Sequence, residues 1–166
     1  MKSSTSHAIK KRDKPNDIFI TPLPLAKFHI DMIETIETDT WYDPFKNDGS
    51  YYNQFPTEKK EWSEILDGKD FFDYEGKPEI ICSNPPYSIL DKVIEKSINL
   101  KPRVISYLIG VGNLTARRIE MLENAGYKLK HLHMCKVFKW YGMSACVVFD
   151  NTIEKSIISI DRIVWK

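Results

Sequence analysis

The chain has 166 residues, 42% of them hydrophobic and 28% charged, with a formal net charge of +1, which suits one globular domain around one core. No apolar run approaches the roughly 20 residues of a membrane-spanning helix, and the basic N-terminus lacks the apolar stretch of a secretory signal. Charge is uneven: residues 31–80 carry 14 acidic and 5 basic side chains, whereas residues 101–141 carry 8 basic and 2 acidic ones.

Residues 1–16 read as a basic, flexible tail, rich in Ser and Lys with no apolar period, and residues 17–166 as the folded domain. Leu25, Phe28, Ile30, Met32, Ile33 and Ile36 predict an amphipathic helix over 22–36, with Thr21 as N-cap and Pro22 at its first position. A short strand over 40–44 runs into the polar turn Lys46-Asn47-Asp48-Gly49-Ser50, and another short strand is expected within 59–65. The run Ile80-Ile81-Cys82 reads as a buried strand, 88–100 as a helix, and 104–109 as a strand covered on both faces. A helix over 113–124 ends before Gly126, and three more strands are expected near 129–137, 144–149 and 156–164. This alternation predicts a single α/β domain with a mostly parallel sheet and a late antiparallel hairpin.

Asn84-Pro85-Pro86-Tyr87 is the most informative stretch. Two adjacent prolines cannot continue a central strand, so the strand stops there in a rigid loop. In an open α/β sheet that is where ligands sit. Read alone, the tetrapeptide is also compatible with a stiff strand-to-helix turn that has no chemistry.

Asn84-Pro85-Pro86-Tyr87-Ser88 resembles the catalytic motif of the S-adenosylmethionine-dependent amino-methyltransferases. Those enzymes include N6-adenine DNA methyltransferases, RNA methyltransferases and glutamine methyltransferases of release factors; short phage or viral adenine enzymes look most similar. Phe19-Ile20-Thr21-Pro22, followed by Leu25-Ala26, resembles their cofactor segment. Asp43-Pro44-Phe45-Lys46-Asn47-Asp48-Gly49-Ser50 resembles their glycine loop, with Asn47 where the family usually has a second glycine. Gly68-Lys69-Asp70-Phe71-Phe72 resembles the segment that holds the cofactor's adenine.

The resemblance implies a Rossmann-like fold, S-adenosylmethionine as cofactor, and methyl transfer to the N6 amino group of adenine in DNA. It implies Asn84, Pro85, Pro86 and Tyr87 as the catalytic loop: the Asn84 side-chain oxygen and the Pro85 carbonyl accept from the attacking amino group, and Tyr87 offers an aromatic face to the base. Thr21, Pro22, Asp43, Pro44, Phe45, Gly49, Glu64, Asp70, Phe71 and Asn84 are the implied cofactor contacts. Asp43 would meet the methionine amino group, Glu64 the ribose hydroxyls (with Glu61 as rival) and Asp70 the adenine amino group. Any one of these acids also reads as plain surface charge.

Arg117, Arg118, Lys136 and Lys139 are candidate phosphate contacts, with Trp140 and Tyr141 adding stacking. His131, His133 and Cys135 share one strand face but lack a fourth ligand at a convincing spacing, so no metal is expected. The odd set of Cys82, Cys135 and Cys146 fits a reducing, intracellular setting. No separate target-recognition domain follows the catalytic loop, so either the target is very short or a partner subunit, or a second copy of the chain, supplies recognition. Methylation of RNA adenine or of a protein glutamine, and a noncatalytic cofactor- or DNA-binding subunit, remain alternative readings.

Overall fold

The computed structural model describes residues 19–139 and 141–163. The basic stretch at 1–16 and Trp140 lie outside them. The elements are α1 (Leu23–Asp31), β1 (Trp41–Asp43), β2 (Lys60–Trp62), β3 (Ile80–Ser83), α2 (Leu90–Leu100), β4 (Val104–Gly110), α3 (Ala116–Asn124), β5 (Lys128–Cys135) and β6 (Ser144–Asp150). They build a single six-stranded sheet in the order β2-β1-β3-β4-β6-β5. The first four strands are parallel, and β6 runs antiparallel between β4 and β5. The α/β class, the mostly parallel sheet and the late hairpin expected from the sequence are what the chain forms.

Alternation along the central strands assigns each residue to a face. Trp41, Ile80, Cys82, Val104 and Val148 pack beneath Ala26, Ile30 and Ile33 on one face. Tyr42, Ile81, Ile105, Tyr107, Val147 and Phe149 meet Leu90, Val93 and Ile94 of α2 and Ile119 and Leu122 of α3 on the other. Every residue of β1, β3, β4 and β6 is buried, which is why these strands are mostly apolar, with polar residues chiefly at their ends.

A polar chain crosses the first of these cores. His29 is fully buried, with Nδ1 2.8 Å from the Tyr51 hydroxyl and Nε2 2.7 Å from Ser106 Oγ. Ser106 gives its only proton to the Val147 carbonyl at 3.0 Å. Nε2 therefore carries the ring proton and donates to Ser106, and Nδ1 accepts from Tyr51. The chain fastens α1 to β4 and fixes the entry of the N-terminal segment into the domain.

Two expectations are corrected. The first helix ends at Asp31, not residue 36. The Asp39 carboxylate takes the Ile36 N–H at 2.8 Å and the Thr35 hydroxyl at 3.2 Å, and pairs with Arg103 at 2.6 Å, so the chain is diverted into a turn. No strand forms over 156–163. That segment meets β5 through Ile157 N–H to the Leu129 carbonyl, and the Ser156 hydroxyl accepts from Leu129 N–H where a backbone partner would be needed. A bulge between Leu129 and His131 breaks the register at the same place.

Burial pushes the His29 pKa from 6.5 down to about 3. Between those values the unfolded chain binds a proton that the folded chain refuses, so this contribution is present above pH 6.5 and is lost as pH falls. His29→Leu, which strands Tyr51 and Ser106, should cost about 1–3 kcal/mol near pH 7.5. Urea unfolding should show the gap between the wild type and this variant shrinking steadily as the pH is lowered to 5.

Candidate active site

Between β1 and β3 the chain changes direction across the sheet: β2 is added on one side of β1, and β3 and all later strands on the other. The carboxyl ends of two strands diverge at such a point and leave a crevice between their loops. Asp43 closes β1 and Ser83 closes β3, so the glycine loop and the Asn84-Pro85-Pro86-Tyr87 loop leave the sheet side by side. A cleft follows them, with one lobe of about 180 Å³ bordered by Pro44, Glu64, Asp70, Phe71 and Pro86. Its second lobe, of about 140 Å³, is bordered by Phe45, Asn47, Leu66 and Asn84. Roomier grooves lie along the outer edge of β2 (about 480 Å³) and at the amino ends of β3 and β4 (about 750 Å³). The strand ends and the rigid loop converge on neither.

Asp43 is entirely buried. Its Oδ1 accepts from Phe45 N–H at 3.2 Å and from the Ser83 hydroxyl at 2.6 Å, and its Oδ2 accepts from Tyr52 N–H at 3.2 Å. One carboxyl group thus joins the glycine loop, the turn after it and the base of the Asn84-Pro85-Pro86-Tyr87 loop. Burial, working against these donated bonds, pushes its pKa up to about 7.

The glycine loop closes through Gly49 N–H to the Lys46 carbonyl at 2.7 Å. Asn47 and Gly49 are both left-handed, at φ 47° and 88°. Asn tolerates that conformation better than other residues with a Cβ, so the loop keeps its shape without the family's second glycine. At Gly49 a Cβ would stand 2.5 Å from Asn53 Nδ2.

Glu64 is nearly buried at 8% exposure. It accepts from Asn47 N–H at 2.9 Å and Leu66 N–H at 3.2 Å. Each oxygen therefore keeps acceptor capacity toward the cleft. Its rival Glu61 lies within edge strand β2 and borders the outer groove, which meets the cleft only at Asp70 among their lining residues. Asp70 caps the short turn that carries Phe71, accepting from Phe72 N–H at 2.9 Å. Phe71 is buried edge-on to Phe45, ring centres 5.3 Å apart, while Phe72 is 38% exposed. Ile65 and Leu66 stand 69% and 75% exposed on the rim.

In the proline loop after β3, Asn84 Nδ2 donates to the Phe19 carbonyl at 3.0 Å and to Thr21 Oγ1 at 3.2 Å. Pro85 is buried and Pro86 lines the cleft. The Tyr87 hydroxyl donates to the Leu108 carbonyl at 3.4 Å, and burial raises its pKa, keeping the phenol neutral. The Tyr141 ring lies 6.2 Å from that of Tyr87, centre to centre, and passes so close to Gly110 that a Cβ there would sit 2.4 Å from its hydroxyl.

The cleft is bordered by Pro44, Phe45, Glu64, Asp70, Phe71, Asn84 and Pro86. Asp43, Thr21 and Gly49 lie behind it as supports, and Pro22 caps α1 without a side-chain cap bond. Thr21 therefore does not cap the helix; its hydroxyl serves Asn84. Arg118 is engaged by Asp91 at 2.6 Å and by Asn113, and Arg117 by Asp91 at 3.3 Å, so both clamp α3 to α2. Lys136 donates to the Tyr141 carbonyl, and Lys139 is exposed on the same β5–β6 loop. His133 packs on Phe28 with ring centres 4.4 Å apart. Among the described residues no group of three or more His, Cys, Asp or Glu side chains is placed to hold a metal, and no helix is long and apolar enough to cross a membrane. Sequence reasoning missed Ser83, Tyr52 and Gly110; a glycine closing a seven-residue buried strand was the available signal for the last.

No family model matches the sequence, and no curated protein matches it. Solved structures do match in fold. Magnesium protoporphyrin IX methyltransferase from Synechocystis, with bound S-adenosylmethionine, superposes at TM-score 0.60 and 10% identity over 77% of each chain. A methyltransferase from Pyrococcus furiosus gives 0.56 at 15% identity, covering 87% of this chain and 93% of that one. A modification subunit of a putative type I restriction enzyme from Vibrio vulnificus gives 0.56 at 13% identity, covering 89% of this chain and 48% of that one. The chain has the Rossmann-like fold of S-adenosylmethionine-dependent methyltransferases.

With a folded pKa near 7 against an unfolded 3.8, Asp43 adds stability below pH 3.8 to 4 that is lost as pH rises through 7. Removing the carboxyl in Asp43→Ala leaves the buried Ser83 hydroxyl and two partly buried N–H groups unpaired and should cost about 2–4 kcal/mol near pH 5. Chemical denaturation from pH 5 to pH 8 should show that deficit narrowing, the reverse of the His29→Leu trend.

Proposed function

We propose that the chain transfers a methyl group from S-adenosylmethionine to the exocyclic N6 amino group of adenine in DNA. The observation that carries this reading is the Asn84 amide. It stands at the switch-point cleft with both N–H bonds engaged by Phe19 and Thr21, which leaves Oδ1 to accept. An adenine amino group is a poor nucleophile because its lone pair is delocalised into the ring. Acceptance of its protons by Asn84 Oδ1 and the Pro85 carbonyl localises that pair, which is positioning and electrostatics rather than strong base catalysis.

The residues present fit the cofactor. Glu64 offers free acceptor capacity to a pair of ribose hydroxyls, Asp70 and Phe71 border the adjoining lobe, and the exposed Ile65 and Leu66 supply an apolar flank for a flat ring. The cofactor supplies an activated methyl group on a sulfonium; this chain holds it against the amine and excludes water with Pro85 and Pro86.

Two features support a nucleic-acid base as acceptor. Tyr87 and Tyr141 form adjoining aromatic surfaces beside the loop, suited to a base turned out of its stack. Lys136 and Lys139 lie on the loop that carries Tyr141, where a phosphate backbone would pass. The similarity of fold to a restriction modification subunit points the same way. Arg117, 68% exposed beside Asp91, remains a further candidate for a phosphate contact.

Purified protein given labelled cofactor with unmethylated DNA, RNA and cell protein in parallel should yield N6-methyladenine in the DNA digest. Asn84→Ala should lower the rate by about a hundredfold or more. Label appearing in RNA or protein alone would replace the substrate, and failure to bind the cofactor by calorimetry would overturn the reading.

A further inference from the structure

We infer that Thr21, together with the Phe19 carbonyl, is a clasp that selects the orientation of the Asn84 amide, which makes Thr21 a positioning residue for the reaction. The inference rests on the proposed role of Asn84 as acceptor and goes beyond it, because the sequence resemblance assigns Thr21 to the cofactor.

The two ends of a primary amide have nearly the same shape and opposite hydrogen-bonding character. Sterics alone cannot decide which end faces the substrate, but hydrogen-bond partners can. A backbone carbonyl only accepts, so the Phe19 carbonyl at 3.0 Å selects the NH₂ end of Asn84. Thr21 Oγ1 at 3.2 Å takes the second N–H bond. In the opposite orientation the amide oxygen would face the Phe19 carbonyl, and the NH₂ would face the amine that must be activated. That amine would then meet a donor, and its lone pair would stay in the ring.

The clasp is well supported. Thr21 is 3% exposed, so its hydroxyl is held rather than solvated. The following helix is tied to the sheet by His29 and Ser106, and Gln54 Nε2 donates to the Leu23 carbonyl at 3.1 Å. On the other side the Phe19 ring packs against Phe138 of the β5–β6 loop at 5.4 Å. Asn84 is therefore oriented by a segment more than sixty residues earlier in the chain.

The test compares Thr21→Val, which keeps the shape and deletes the acceptor, with Thr21→Ser, which restores it. In ¹⁵N-labelled, cofactor-free protein the Asn84 side-chain NH₂ pair is identified by its loss in Asn84→Ala. It should be protected from hydrogen exchange in the wild type and in Thr21→Ser, and about tenfold less so in Thr21→Val. Steady-state kinetics should show kcat reduced about tenfold in Thr21→Val with the cofactor KM within about twofold, and Thr21→Ser near wild type. A raised cofactor KM with kcat unchanged would make Thr21 a cofactor contact and overturn the clasp. So would equal loss in the Ser variant, which would indicate packing, or an unprotected amide in an active enzyme. A protected amide in a protein that methylates nothing would sink the proposed function, and the catalytic half of the clasp with it.

Discussion

The loops at the carboxyl ends of β1 and β3 are registered against one another by one buried carboxyl group. Asp43 sits where the sheet reverses its order of assembly, and three donors from three segments converge on it. The glycine loop is anchored by Phe45 N–H, the turn behind it by Tyr52 N–H, and the Asn84-Pro85-Pro86-Tyr87 loop by the Ser83 hydroxyl. Parallel strands bring loops to the same end of a sheet but do not register them against one another. A shared acceptor does, and its burial makes the arrangement costly to leave. Had the side chain been in water, the same contacts would hold the loops far less firmly.

Asp43 and His29 form an opposed pair across the domain. Burial raises one pKa to about 7 and lowers the other to about 3. Both groups are thus held neutral in mildly acidic conditions, and their linkage contributions run in opposite directions over the same pH range. The net stability curve of the wild type is flatter there than either group would make it. The contributions of these two groups therefore oppose one another as the pH changes.

The fold was largely legible because its signals are local. The apolar run at 80–82 and the run at 104–109, broken only by Ser106, mark strands covered on both faces, and two adjacent prolines after Asn84 mark where a strand must stop. What escaped is set by partners distant in sequence. Thr21 before Pro22 has the local chemistry of a helix cap, yet its hydroxyl serves Asn84, 63 positions later. The apolar period that extended the first helix to Ile36 ignored Asp39, whose carboxylate holds a turn, and left Ile36 64% exposed. Arg117 and Arg118 both pair with the single Asp91 of another helix, a tie that the sequence does not announce and that leaves the Arg117 side chain 68% exposed. In the site, residue types were readable from the motif, whereas the division between cleft walls and buried supports required the third dimension.

The outer hairpin also has a bearing on how the protein survives in a crowded solution. β5 is an eight-residue strand at the margin of the sheet, a natural template for pairing with another chain. One end is covered where Ile157 bonds to Leu129. The bulge at Leu129 and His131 interrupts the flat row of backbone groups, and Lys130 at that bulge is anchored to Glu34 and Asp150 at 2.9 and 3.3 Å. The irregularity therefore blunts the amino-terminal end of this edge as a template for a further strand.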